Sequence, residues 1–133
     1  MGHSKSEIYI HITFATKNRE PFIIPKIRKE LHLYIAKILK SYNSDAIIIG
    51  GVTDHIHILC MISKNITVGK LLEEIKRNSS KWMKTKGISN FYWQNGYYAD
   101  SVSKSNLGKL VKYIVSQEDH HNDLWKGKYY HKK

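Results

Sequence analysis

Two histidines one residue apart, His55-Ile56-His57, lie within the stretch Asp54 to Ile62, which reads as a β-strand. Alternation on a strand sends both imidazoles to one face and Ile56, Ile58, Cys60 and Ile62 to the other. The apolar side belongs to a core. The rings are therefore expected on the less buried side, where both reach one divalent cation. A second pair lies further along. Tyr113 and Gln117 stand four residues apart in a segment, about 105–120, whose Leu107, Leu110, Val111 and Ile114 make an apolar helical stripe. Phenol and amide then share a flank. A tyrosine hydroxyl attacks a phosphodiester when a cation draws charge from the phosphate oxygens, and the phosphotyrosine so formed conserves bond energy for rejoining. A Gln carbonyl suits a hard ion such as Mg²⁺, while Mn²⁺ accepts both oxygen and imidazole. Each feature alone also fits a plainer role: surface strand histidines, and a tyrosine at the rim of a packing stripe. Their joint occurrence points to a site.

The chain that must position these groups has 133 residues, 41% hydrophobic with only two prolines, a composition that folds and that fits one domain spanning 1–133. Twenty-two Lys and Arg against eleven Asp and Glu leave a formal charge of +11, which calls for a phosphate-bearing partner, nucleic acid first. The lone Cys60 excludes an internal disulfide and a Cys-x-x-Cys site. No apolar run is long enough to span a bilayer, and the amino terminus lacks a signal-peptide pattern, so no membrane association and a cytoplasmic location are expected.

The elements follow from periodicity. Ile8, Ile10, Ile12 and Phe14 alternate with Tyr9, His11 and Thr13 as a half-buried strand; Lys17 to Pro25 is a loop. Ile27, Leu31, Leu33, Tyr34, Ile35, Ile38 and Leu39 mark a helix to about Ser41. Ala46 to Ile49 is a short strand closed by Gly50 and Gly51, in a hairpin with 54–62. Thr67 caps a helix running towards Lys86, with Val68, Leu71, Leu72, Ile75, Trp82 and Met83 inward. Gly87 to Gly96 connects to a short strand, Tyr97 to Val102. Ser105 or Asn106 then caps the tyrosine helix, and a basic tail occupies about 122–133. This order predicts an α+β fold of ferredoxin-like or RRM-like kind: an antiparallel sheet with helices on one face, its other face left for a substrate, a partner subunit or the tyrosine helix.

On the outer face of the second helix, Lys76, Arg77, Lys81 and Lys84, with Ser79 and Ser80, carry charge and hydroxyl donors suited to a DNA backbone. Lys104, Lys109 and Lys112 surround the tyrosine helix and could steer DNA towards Tyr113. All are equally compatible with ordinary solvated surface. Tyr97, Tyr98, Tyr129 and Tyr130 are candidates for stacking on unpaired bases.

Several motifs in order extend this. The strand Ile8 to Thr16 followed by Lys17-Asn18-Arg19, then Asp54-His55-Ile56-His57-Ile58-Leu59, Ile75-Lys76-Arg77-Asn78-Ser79-Ser80, Trp93-Gln94 leading to Tyr97-Tyr98, and Tyr113-Ile114-Val115-Ser116-Gln117-Glu118-Asp119-His120-His121 span nearly the whole chain. In these the sequence resembles the single-tyrosine HUH transposases of insertion-sequence 200/605 type and the repeat-associated tyrosine transposases. The resemblance implies a metal-dependent transferase of single-stranded DNA, with His55 and His57 as metal ligands, Gln117 in the third-ligand position, Mg²⁺ or Mn²⁺ as the ion and Tyr113 as nucleophile. It further implies a 5′-phosphotyrosine intermediate, recognition of a DNA hairpin, and a homodimer in which the tyrosine helix can complete the partner's site. Two other functions suit the same residues: a non-catalytic RRM-like nucleic-acid-binding module, and a domesticated relative that cleaves host hairpin repeats.

Overall fold

The computed structural model describes residues 3–117. Four strands, β1 (Ile8–Ala15), β2 (Ala46–Val52), β3 (His55–Ile62) and β4 (Tyr98–Val102), form one antiparallel sheet in the order β2-β3-β1-β4. Helix α1 (Pro25–Ser41) joins β1 to β2, α2 (Val68–Thr85) joins β3 to β4, and α3 (Leu107–Val115) follows β4. This is the ferredoxin-like arrangement expected from the element order.

The pleat sorts the two sheet faces. Ile10, Ile12 and Phe14 stand opposite Cys60, Ile58 and Ile56, and all six pack with Leu31, Ile35 and Leu39 of α1 and Leu71, Leu72 and Ile75 of α2. Burial pushes the Cys60 thiol up to about 12, so it serves as a small core apolar group. Pro25 opens α1 at its first turn, where its missing N–H costs nothing, and Thr67 caps α2 by accepting from the Lys70 amide at 3.0 Å.

Three expectations change. Leu33 is 62% exposed, because it lies two residues from both Leu31 and Ile35 and so turns about 200° away from their stripe. Strand β2 runs through Gly50 and Gly51 rather than ending before them, pairing Gly50 with His57 and Gly51 with Ile56. No side-chain cap opens α3; a short 3₁₀ turn, Lys104–Asn106, leads into it instead. The helices also divide between the faces, α1 and α2 on one and α3 on the other. Helix α3 closes at Val115; residues 118–120, expected to complete it, and the basic tail about 122–133, with Tyr129 and Tyr130, lie outside the described residues.

Candidate active site

The second sheet face carries His11 and Thr13 from β1 and His55 and His57 from β3, with Thr13 directly across from His57. Both His55 and His57 have no exposed surface, so the less buried side expected for them is in fact closed. The cover is α3. Gly50, on the neighbouring strand, lets it come close: a Cβ there would sit 2.6 Å from Ile114 Cγ2 and 3.1 Å from Ile114 O. Ile114 is thereby buried, and one turn on Gln117 reaches the histidines.

Three donor atoms converge. Gln117 Oε1 lies 3.2 Å from His57 Nε2 and 3.4 Å from His55 Nε2. His55 Nδ1–H donates to Asp54 Oδ1 at 2.9 Å, which sets the tautomer and leaves Nε2 as an acceptor facing an acceptor oxygen. Such a pair of lone pairs wants a cation between them. Adjacent octahedral ligands at about 2.0–2.1 Å from Mg²⁺ stand about 3 Å apart, near the separations found here. Among the described residues no three His, Cys, Asp or Glu cluster as a metal set, so the Gln carbonyl is what raises the donors to three. The residues present therefore fit a hard or borderline divalent ion with open positions.

The electrostatics agree. Burial, partly opposed by the Asp54 carboxylate, pulls the His55 pKa down, and burial with the neighbouring His55 and His11 rings pulls His57 further. Both rings are neutral near pH 7, as ligation requires. Burial alone would raise Asp54, but the hydrogen bond from His55 and the Arg19 guanidinium outweigh it and hold the carboxyl below its usual range. Arg19 Nε donates to Asp54 Oδ2 at 3.3 Å, so each carboxylate oxygen has its own task. On the other ring, His57 Nδ1 lies 2.9 Å from His11 Nε2 and 3.3 Å from Thr13 Oγ1. Asp54, Arg19, His11 and Thr13 were not assigned by sequence reasoning. Asp54 had a signal in its place directly before His55; His11 and Thr13 had one in the alternation of β1.

Tyr113 packs edge-on to His57, ring centroids 5.9 Å apart. It borders an open cleft of about 500 Å³ that His11, Asp100, Asn106 and Lys109 also line. Phenol, imidazoles and amide are brought together by the docking of α3 on the sheet.

The basic residues of α2 do something more local. Lys76 Nζ donates to Gln94 O, at 2.8 Å, and to Gly96 O; Lys84 Nζ donates to Phe91 O and Ser80 Oγ, both at 2.8 Å, and lies 4.6 Å from the Tyr92 ring. Trp93 Nε1–H donates to Ser79 Oγ at 3.0 Å. Arg77 pairs with the buried Glu74. Much of that face thus anchors the 87–97 connection, and Lys81 and Lys112 stand exposed. Irregular backbone carbonyls leave no periodic signal, so sequence alone did not reveal this use. Trp82, expected in the core, is part-buried and stacks on Tyr34, centroids 5.4 Å apart. No helix among the described residues is long and apolar enough to cross a membrane.

A family model described as "Transposase IS200 like" matches residues 4–117. The chain is 27% identical over 124 residues to the transposases for insertion sequence element IS200 of Salmonella typhimurium and of Salmonella typhi, covering 88% of this chain and 81% of each of those. Among solved structures it is similar to a transposase candidate from Deinococcus radiodurans R1, with TM-score 0.68, 16% identity, and coverage of 88% of this chain and 98% of that one. It is also similar to a REP-associated tyrosine transposase bound to a REP hairpin, with TM-score 0.69, 16% identity, and coverage of 92% and 75%. At these identities the structural likenesses speak to the fold.

Proposed function

The chain belongs to the IS200-like transposase family, and from that premise we propose that it cleaves and rejoins single-stranded DNA through a 5′-phosphotyrosine intermediate on Tyr113. The observation that carries the reading is the convergence of His55 Nε2, His57 Nε2 and Gln117 Oε1 on the face where Tyr113 packs against His57. These three residues would hold Mg²⁺ or Mn²⁺, which when bound withdraws charge from the scissile phosphate. The Tyr113 oxygen attacks phosphorus and the bond from phosphorus to the 3′ oxygen breaks. The phenol proton leaves, and a proton is taken up by the departing 3′-hydroxyl. Rejoining runs the same exchange backwards, so no external energy source is needed.

Asp54 and His11 orient the two rings. Lys109, which lines the Tyr113 cleft, together with Lys81 and Lys112, would attract the backbone by charge. Lys76, Arg77, Ser80 and Lys84 would act on DNA chiefly by shaping the loop they brace. A hairpin is the expected substrate feature, as with the REP-hairpin-bound relative. The chain would work as one domain, and a homodimer remains part of the proposal, in which the tyrosine helix can complete the partner's site.

The test is to incubate wild-type and Tyr113→Phe protein with labelled hairpin DNA from the ends of the gene's own locus, with Mg²⁺, with Mn²⁺ and with chelator. A denaturant-resistant adduct that requires both metal and Tyr113 is expected. An adduct from the Phe variant would remove Tyr113 as nucleophile. Tight hairpin binding without any adduct would leave a binding module.

A further inference from the structure

Beside the metal-capable face lies a pocket that the strand-transfer chemistry does not use. Its volume is about 240 Å³, and Thr13, Arg19, Gln94, Asn95, Tyr97 and Tyr98 are among the residues that line it. Register sets its distance from the site, since Thr13 pairs with His57 on one side and with Tyr98 on the other. A ligand there is therefore one strand away from the His57 ring.

The pocket is built rather than incidental. Gln94 donates its amide N–H to Ala15 O at 2.8 Å, and its Oε1 accepts from the Asn18 amide at 3.1 Å, tying the wall to the Lys17-Asn18-Arg19 turn. From the other side Lys76, about half-buried, holds the carbonyls of Gln94 and Gly96. Gly96 has φ +87°, a conformation that L side chains rarely adopt, and it turns the chain so that Tyr97 reaches the mouth. Tyr97 lines the pocket and remains 42% exposed.

The volume is below the ~300–1,000 Å³ of sites that enclose a whole drug-sized ligand, and it suits one flat ring system. Aromatic walls with amide and guanidinium heads are the means by which proteins hold an unpaired base, stacking its face and bonding its edge. The geometry points to a nucleobase-binding pocket that captures one unpaired base close to the phosphate bound at the His55–His57 face, and so helps to choose where the strand is cut. The inference rests on the strand-transfer reading for the identity of that phosphate, but its test does not require chemistry.

Equilibrium binding is measured with Tyr113→Phe protein and a set of hairpin oligonucleotides from the gene's own locus, each carrying one abasic site at a different unpaired position. One lesion position should weaken binding about tenfold, the size of a lost stacked base, while the others change it little. Tyr97→Ala and Asn95→Ala, both on exposed positions, should weaken the intact oligonucleotide by a similar factor and add nothing to that one lesion. A flat lesion scan overturns the pocket, as does an equal loss by the variants on every oligonucleotide. Adduct formation by wild type with a flat scan retains the strand-transfer reading and removes the pocket. A position-specific loss without any adduct does the opposite.

Discussion

Replacing Gly50 with Ala adds one methyl group where the tyrosine helix meets the sheet. That Cβ would lie 2.6 Å from Ile114 Cγ2 and 3.1 Å from Ile114 O. Carbon atoms rest at about 3.5–4.0 Å, so the new contact is about 1 Å too short. The strand resists, because around Gly50 β2 is paired with β3 without a break from Ile48 to Val52. Helix α3 can give, since Ile114 is the only residue that it buries fully. A shift of that size carries Tyr113 and Gln117 with it and opens the 3.2 and 3.4 Å approaches to the histidines. Overpacking of this kind costs about 1–3 kcal/mol, and misplacement by about 1 Å costs about 10²-fold in rate. The expected result is a folded protein whose single-turnover adduct formation falls about 100-fold and whose Mn²⁺ affinity, read by calorimetry, also drops. Ile114→Leu moves the branch away from Cβ, so the double variant should recover part of both. Wild-type rate and affinity in Gly50→Ala would refute the seat of α3 on β2 as the working position.

Asp54→Asn keeps the shape but loses the charge that orients His55, and loss of such a partner lowers metal affinity by about 10–100-fold; Mn²⁺ titration that matches wild type would show His55 to be positioned by something else. Acid stability offers a separate check at Glu74. Its Lys70 partner, against the opposing effect of burial and with help from Tyr42 and Arg77, holds the carboxyl below its ordinary value of 4.5. The folded pKa is depressed, so this stabilisation is full above the unfolded value and is lost as pH falls through the lower folded one. Glu74→Gln should therefore be less stable than wild type at neutral pH and converge with it in denaturant titrations as pH falls from 4.5 through the lower folded pKa; a constant difference from neutral pH down through that fall would contradict the ion-pair assignment.

Local pattern carried the core well. Ile10 to Phe14 and Ile56 to Ile62 alternate because only one face of each strand meets α1 and α2, while Ile8, at the strand's start, is 52% exposed; the Thr67 cap announces itself by residue type. Gly50 misled because glycine usually ends a strand, whereas here it makes room for a helix arriving from 64 residues later in the chain. The spacing of His55 with His57, and of Tyr113 with Gln117, told which groups share a face. It did not tell that the two faces meet, nor that the histidines would be fully enclosed, since both depend on how α3 docks. The alternation of β1 put His11 and Thr13 on one face, but their link to His57 was not legible, because it comes from the pairing of β1 with β3, a register that neither strand specifies by itself. Lys76 and Lys84 read as free surface charge because the carbonyls they hold belong to an irregular loop.

The strand order has a consequence for tolerance. His55 and His57 stand on β3 and His11 on β1, the two inner strands, each hydrogen-bonded on both sides. The imidazole spacing is thus gauged by the pleat and serves as a fixed datum, which no side-chain change on the surface can recalibrate. Gln117 and Tyr113 belong to the adjustable jaw of the same vice, set against that datum by the contact between Ile114 and Gly50. Substitutions that retune reach or metal preference are admitted on the jaw side at small structural cost, whereas on the datum side the whole sheet resists them.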